Sequence, residues 1–195
     1  MTRTSSLTRL FAATALASAF ATSAFAAPEN YGVEPNHTYA NFSYSHMGLS
    51  TQISKFSKTS GTVVYDKAAK TGSVDVTIDM KSVDTGSNLF NGHIQGADFL
   101  DTEKFPTATF KSTKVVFTGD VPSSIEGNLT IKGVTKPVVL KVSHFANMAH
   151  PMMKKDAIGA NASTQIKRSD FGAGKYAPLV GDEVTITISL EAIQQ

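Results

Sequence analysis

Residues 166–174 read IKRSDFGAG, and several chemistries can be asked of them. An Asp-Phe-Gly string holds magnesium in protein kinases, but that use needs a Gly-rich loop, a strand lysine and a His-Arg-Asp loop upstream, and none is present. Ser169 and Asp170 are neighbours, so on a continuing strand they point to opposite faces and do not form a nucleophile and base pair. Arg168 is the sharper case. In the inward phase of an apolar strand a cation needs a carboxylate, a phosphate or open water beside it. An ion pair with Asp170, Asp84 or Asp98 would meet that need, and so would the oxygens of a bound ligand, which a guanidinium fits well.

A second cluster is HFANMAHPMMKK, with His144, Met148, His150, Met152 and Met153. Thioether and imidazole together suit copper(I), so loop 144–153 is a candidate copper site. The competing reading has the methionines lining a loop over an apolar opening, where flexible thioethers adapt to variable contacts. Pro151 breaks regular spacing and no further ligands join, so the sequence is read as having no metal centre. His93 lacks a His-x-His or His-Glu-x-x-His companion. Asp98, Asp101 and Glu103 read as solvated turn residues, and no nucleophile elbow is visible, so the chain is read as not an enzyme.

The first residues place Arg3 and Arg9 before an apolar run, Leu10 to Phe25, that ends in Ala24-Phe25-Ala26. This is the pattern of a cleaved secretory signal peptide over residues 1–26, leaving one domain over 27–195 and an exported, periplasmic protein. The 195 residues carry 18 basic and 16 acidic side chains, and both leader arginines leave with the signal. The remainder is close to neutral, which excludes the gathered basic face that nucleic acid requires. There is no cysteine, hence no disulfide and no thiolate metal site.

Positioning falls to strands, because the pattern after residue 26 is almost entirely period two. Ala40, Phe42, Tyr44 and His46 share one phase, as do Val74, Val76, Ile78 and Met80. The runs Ile125-Gly127-Leu129-Ile131, Val138-Leu140-Val142 and Val184-Ile186-Ile188-Leu190 behave alike, and Lys132-Gly133 between two of them signals a tight hairpin. The alternation lapses over 82–106, where Leu89, Phe90, His93 and Ile94 have helical spacing behind a capping Ser87. The spacing predicts a short helical insertion near residues 87–96. About eight strands joined as hairpins predict an all-β, eight-stranded antiparallel barrel, because closure removes the edges of a meander. Such a barrel is either filled by side chains or just wide enough for one small ligand. The inward row Ile158, Ala160, Ala162, Thr164, Ile166 and Arg168 is mostly small and leaves room, whereas opposed phenylalanines could fill it. The sequence leaves both open.

The ordered words SVDTG, DFLDTEKFPTATFKS, GNLTIKGVTKPVVL, IKRSDFG and EVTITISLEAI resemble the YceI-like family of exported proteins over nearly the whole mature chain. The resemblance implies a lipocalin-like barrel with an elongated apolar cavity for a polyisoprenoid or related long-chain amphiphile, such as an isoprenoid quinone. It also implies a periplasmic setting and a loose association with stress responses. Bound lipid is the only small molecule implied, and no cofactor is required. Where relatives carry Arg-Asp before the helix histidine, this chain has Phe90-Asn91, without either charge. The expected cavity wall is Phe42, Tyr44, Val76, Ile78, Phe99, Phe110, Leu129, Ile131, Leu140, Ile166, Phe171 and Ile188. His46, His93 and Arg168 are the candidates for the polar head group. Transient membrane contact and a homodimer are compatible with the sequence. The rival reading is a structural or interaction barrel without lipid cargo.

Overall fold

In the computed structural model, which describes residues 27–195, the period-two stretches form strands. The expected signal peptide lies outside the described residues. In chain order the elements are β1 (Glu29–Val33), β2 (Tyr39–His46), β3 (Ser50–Phe56), β4 (Thr59–Asp66), β5 (Thr71–Asp79) and β6 (Val83–Asp84). They continue with α1 (Asn88–Ile94), β7 (Thr107–Thr118), β8 (Val121–Ile131), β9 (Val134–Ala149), β10 (Asp156–Lys167) and β11 (Glu183–Gln194). The ring β1-β4-β5-β7-β8-β9-β10-β11 closes where β1 pairs with β11, giving an eight-stranded antiparallel barrel with one short helix.

The extra segments arise because long strands break. β1 and β2 lie end to end on one edge of β11, with Val33 opposite Ala192 and Tyr39 opposite Ser189. Between them Pro35 has no N–H to give a ladder, and the Glu34 carboxylate turns the chain by accepting from the Asn36 and His37 N–H groups at 3.1 and 2.8 Å. β3 and β4 follow the same broken line on the other side of β2 and β1. The wall therefore still has eight positions.

Local chemistry sets the ends. Lys132 and Gly133 both have positive φ, 49° and 73°, as a two-residue hairpin turn requires. Ser87 caps α1, its hydroxyl accepting from Phe90 N at 3.4 Å. Asn91 accepts from Thr85 N at 2.8 Å and Thr85 Oγ1 at 2.7 Å, tying the helix to the chain before it.

The barrel's two ends differ. Far from α1, Tyr31 is fully buried among Val63, Tyr65, Ile158 and Ala192. Its hydroxyl donates to Glu29 Oε2 at 2.5 Å and accepts from Asn147 Nδ2 at 3.3 Å. Burial and the neighbouring Glu29 carboxylate push the Tyr31 phenol up, so it stays neutral. Tyr65 packs against Phe117 and Phe145 with ring centroids 6.3 and 5.3 Å apart, closing this end with aromatic surface. At the other end α1 and the segments 95–106 and 172–181 lie across the opening. Lys132 Nζ donates to Ala97 O at 3.2 Å and to Gly172 O at 2.9 Å, so the β8–β9 turn holds both segments.

Candidate functional site

The barrel encloses a cavity of about 400 Å³. Side chains from β2 round to β11 line it, running from Tyr65 and Phe145 at the closed end to His46 and Arg168 near α1. The alternation in sequence is what aims them. In β10 the row Ile158, Ala160, Ala162, Thr164 and Ile166 faces in, and two alanines in the middle of that row leave the space that bulkier residues would occupy. Phe110, Leu129, Leu140 and Phe171 are buried around that space without closing it.

All the apolar residues expected on the wall, from Phe42 to Ile188, line the cavity, and so do His46, His93 and Arg168. Other residues, not expected in the wall, also line it: Phe56, Phe90, Leu100, Tyr176 and Val180 among them. Phe90 had a signal, since it shares helical spacing with His93. Tyr176 had none, because the Gly- and Pro-containing stretch around it carries no period. These aromatics form a chain over the opening: His93 lies 6.0 Å from Phe90 and 5.1 Å from Phe99, and Phe99 lies 6.1 Å from Tyr176, between ring centroids. His93 and Tyr176 are exposed and line the cavity at once, which marks this end as the mouth.

Arg168 departs from expectation. The strand ends at Lys167, and Arg168 opens a short 3-10 turn, Arg168–Phe171, which Gly172 ends in the left-handed region at φ 68°. The guanidinium pairs with neither Asp170, Asp84 nor Asp98. Nε donates to Gly181 O at 2.9 Å, Nη1 to Lys175 O at 2.8 Å and to Ala173 O, and Nη2 to Val180 O at 2.7 Å. Four carbonyls of one loop thus satisfy a cation that a strand residue would have carried into the cavity. Asp98 pairs instead with Lys175 at 3.4 Å, and Asp84 accepts from Gly86 N. Burial lowers the Arg168 pKa, and the charge of Asp182 opposes that shift.

Asp182 fixes the same turn. Its carboxylate accepts from Ser169 Oγ at 2.7 Å and Ser169 N at 2.9 Å, which assigns Ser169 to a structural bond. Those two bonds, with a smaller contribution from the Arg168 charge, hold the carboxyl below its ordinary value. A depressed carboxyl stabilises the fold above its unfolded pKa of about 3.9, and the contribution disappears as pH falls through the lower folded value. Asp182→Asn is therefore expected to lower stability by about 1 kcal/mol at pH 7. The difference from the parent should vanish in acid, below both pKa values, when urea unfolding midpoints are compared across pH.

The His/Met loop is placed elsewhere. β9 starts at the mouth beside Ile131 and ends at Ala149, so the turn after it lies at the closed end. Met148, Met152 and Met153 are exposed there and are absent from the cavity wall, correcting the expectation that they border an opening. His150 Nδ1 accepts from Met152 N and Met153 N at 3.2 and 3.1 Å, so the imidazole organises the turn. Among the described residues, Glu34, His37 and Glu191 offer ligand atoms within 4.8 Å of one another. His37 Nδ1 already lies 2.7 Å from the Glu34 carboxylate.

The chain is similar to known proteins over most of its length. A family model described as the YceI-like domain matches residues 31–192. Protein YceI of Escherichia coli is 38% identical over 174 residues, covering 89% of this chain and 90% of the relative, and Protein YceI of Salmonella arizonae gives the same figures. Among solved structures, BcnA of Burkholderia cenocepacia superposes with a TM-score of 0.68 at 30% identity, over 82% of this chain and 98% of that one. The YceI protein of Campylobacter jejuni gives 0.67 at 29% identity, over 77% and 90%. A polyisoprenoid binding domain from Saccharophagus degradans shares the fold, with a TM-score of 0.63 at 18% identity over 85% and 98%.

Proposed function

This chain belongs to the YceI-like family, and from that premise we propose that it is a non-covalent lipid carrier of the periplasm. It takes a polyisoprenoid or related long-chain amphiphile, such as an isoprenoid quinone, into the barrel, keeps it from water and gives it up again. The observation that carries this reading is the cavity itself: about 400 Å³, walled mainly by apolar side chains, with His46, His93 and Arg168 at the mouth. The shared fold of the Saccharophagus degradans domain, described as polyisoprenoid binding, supports it.

The energetics suit exchange. Each methylene leaving water gains about 0.8 kcal/mol, so a five-carbon unit gains roughly 3–4 kcal/mol. A bilayer interior offers a similar gain, so transfer between membrane and barrel is nearly neutral overall. The polar end stays near His46 and His93 at the mouth. Arg168 contributes less to head-group binding than its charge suggests, because carbonyls occupy four of its five N–H donors.

Native mass spectrometry of the mature protein recovered from its own host's exported fraction tests the reading. The expected spectrum carries the mass of one long-chain lipid. In Ala162→Phe a ring fills the space beside Phe110 and Phe171, so the lipid mass should be lost while the melting temperature stays within a few degrees. A parent protein that is empty and also fails to take up added polyisoprenoid alcohol or quinone would favour a barrel acting through its surface.

A further inference from the structure

Around the mouth five large apolar side chains face outward: Met47, Leu49, Leu89, Tyr176 and Leu179, which are 55, 82, 88, 53 and 68% exposed. They come from three separate segments that the fold brings together. Met47 and Leu49 occupy the turn between β2 and β3, and Met47 N donates to Leu179 O at 3.0 Å. His46 bridges to Val180 beside them. Leu89 precedes Phe90 on α1, from which the aromatic chain leads to Tyr176.

Folding does not account for these residues. Tight turns ordinarily carry Asn, Asp or Gly, which accept positive φ at low cost and face water. Here Met47 and Tyr176 sit at φ 55° and 64°, conformations that are uncommon for bulky side chains. Both leave more than half of their surface in water, so burial offsets only part of that cost.

We propose that this rim is a bilayer-docking surface, through which the mouth meets a membrane and an apolar cargo passes without crossing water. The inference rests on the carrier reading above. Three observations favour a bilayer over a second copy of the chain. The side chains project from two turns and the first turn of α1 rather than from a flat face, as insertion between lipid head groups requires. Five residues fall well short of the roughly 20–30 per side that a stable protein pair buries. The rim is also continuous with the cavity mouth, which a second copy would obstruct and a bilayer would supply.

The other apolar turn gives an internal control. Met152 and Met153, with Lys154 and Lys155, are exposed at the closed end. A docking surface defined by apolar exposure alone would include them, whereas one defined by the mouth would not.

The experiment measures uptake of a fluorescent polyisoprenoid alcohol from vesicles of phosphatidylethanolamine and phosphatidylglycerol by the mature protein. The expected rate for the parent rises in proportion to vesicle concentration. Leu49→Ser with Leu179→Ser should slow uptake at least tenfold, yet bind the same final amount when the probe is delivered from detergent. Met152→Ser with Met153→Ser should match the parent. An unchanged rate for the mouth variant overturns the proposal, as does equal slowing by the closed-end variant. A dimeric parent that becomes monomeric on mouth substitution, by sedimentation velocity, also overturns it and assigns the rim to a second copy. If no form binds probe from detergent, the carrier reading fails separately, and docking is then decided by whether the parent, but not the mouth variant, floats with cargo-free vesicles.

Discussion

Replacing Arg168 by methionine is expected to cost about 2–3 kcal/mol in urea unfolding, the range for taking a charged donor away from partly buried acceptors. The substitution keeps an unbranched apolar stem but removes the guanidinium and every donor, stranding the carbonyls of Ala173, Lys175, Val180 and Gly181. Arg168→Lys should fall between the two. It keeps the charge, but an ammonium has three donors on a flexible stem and cannot span acceptors that a planar fork reaches together. The loss should be local before it is global: amide hydrogen exchange is expected to accelerate first over 172–181, the loop that carries Tyr176 and Leu179. If the barrel carries lipid as proposed, dissociation of that lipid should quicken in parallel. A cost below about 1 kcal/mol with unchanged exchange would show that the loop stands without the guanidinium.

Gly127→Ala is the second large effect, with an expected cost of about 3 kcal/mol. A Cβ at this position would lie 2.4 Å from Phe110 Cζ and 2.6 Å from Lys111 O. The ring of Phe110, itself buried in the wall, rests on the bare backbone of β8. The ring can be trimmed but the carbonyl oxygen belongs to the paired strand β7 and can yield only by opening the ladder. Phe110→Leu together with Gly127→Ala should therefore recover part of the loss, not all of it. A double-mutant cycle in urea measures the coupling, which should exceed about 0.5 kcal/mol if the ring is the main obstacle. Additive losses would place the whole cost on the backbone contact. Gly127 belongs to the inward phase of β8, and at the level of sequence it looked like one more small residue in an alternating run.

Much of the fold was legible because strand burial repeats every two residues and the chain states that period in its side chains. Ala40-Phe42-Tyr44-His46, Ile158-Ala160-Ala162 and Ile186-Ile188 each declare which face is inner. Ser87 and the helical spacing of Phe90 and His93 announced α1 for the same reason: capping and periodicity are properties of side chains. The number of strand segments was less legible. Where β1 gives way to β2, the break depends on Pro35 and on the Glu34 carboxylate turning onto Asn36 and His37, a local event inside a continuous wall position. Counting periodic runs yields the wall positions, not the breaks within them.

What the sequence determined by itself was the inner surface of this protein: an eight-position antiparallel barrel, an apolar lining and the small residues that thin one wall. Only the tertiary structure decided that the interior stays open, because whether opposed phenylalanines meet depends on strand tilt and register across the ring. Only it decided the fate of Arg168. The acceptors that hold the guanidinium are backbone carbonyls, identical in every residue, so their convergence leaves no trace in residue type. The exposed rim at Met47, Leu89 and Leu179 was hidden for a related reason, since three segments far apart in the chain become one surface only when the barrel closes.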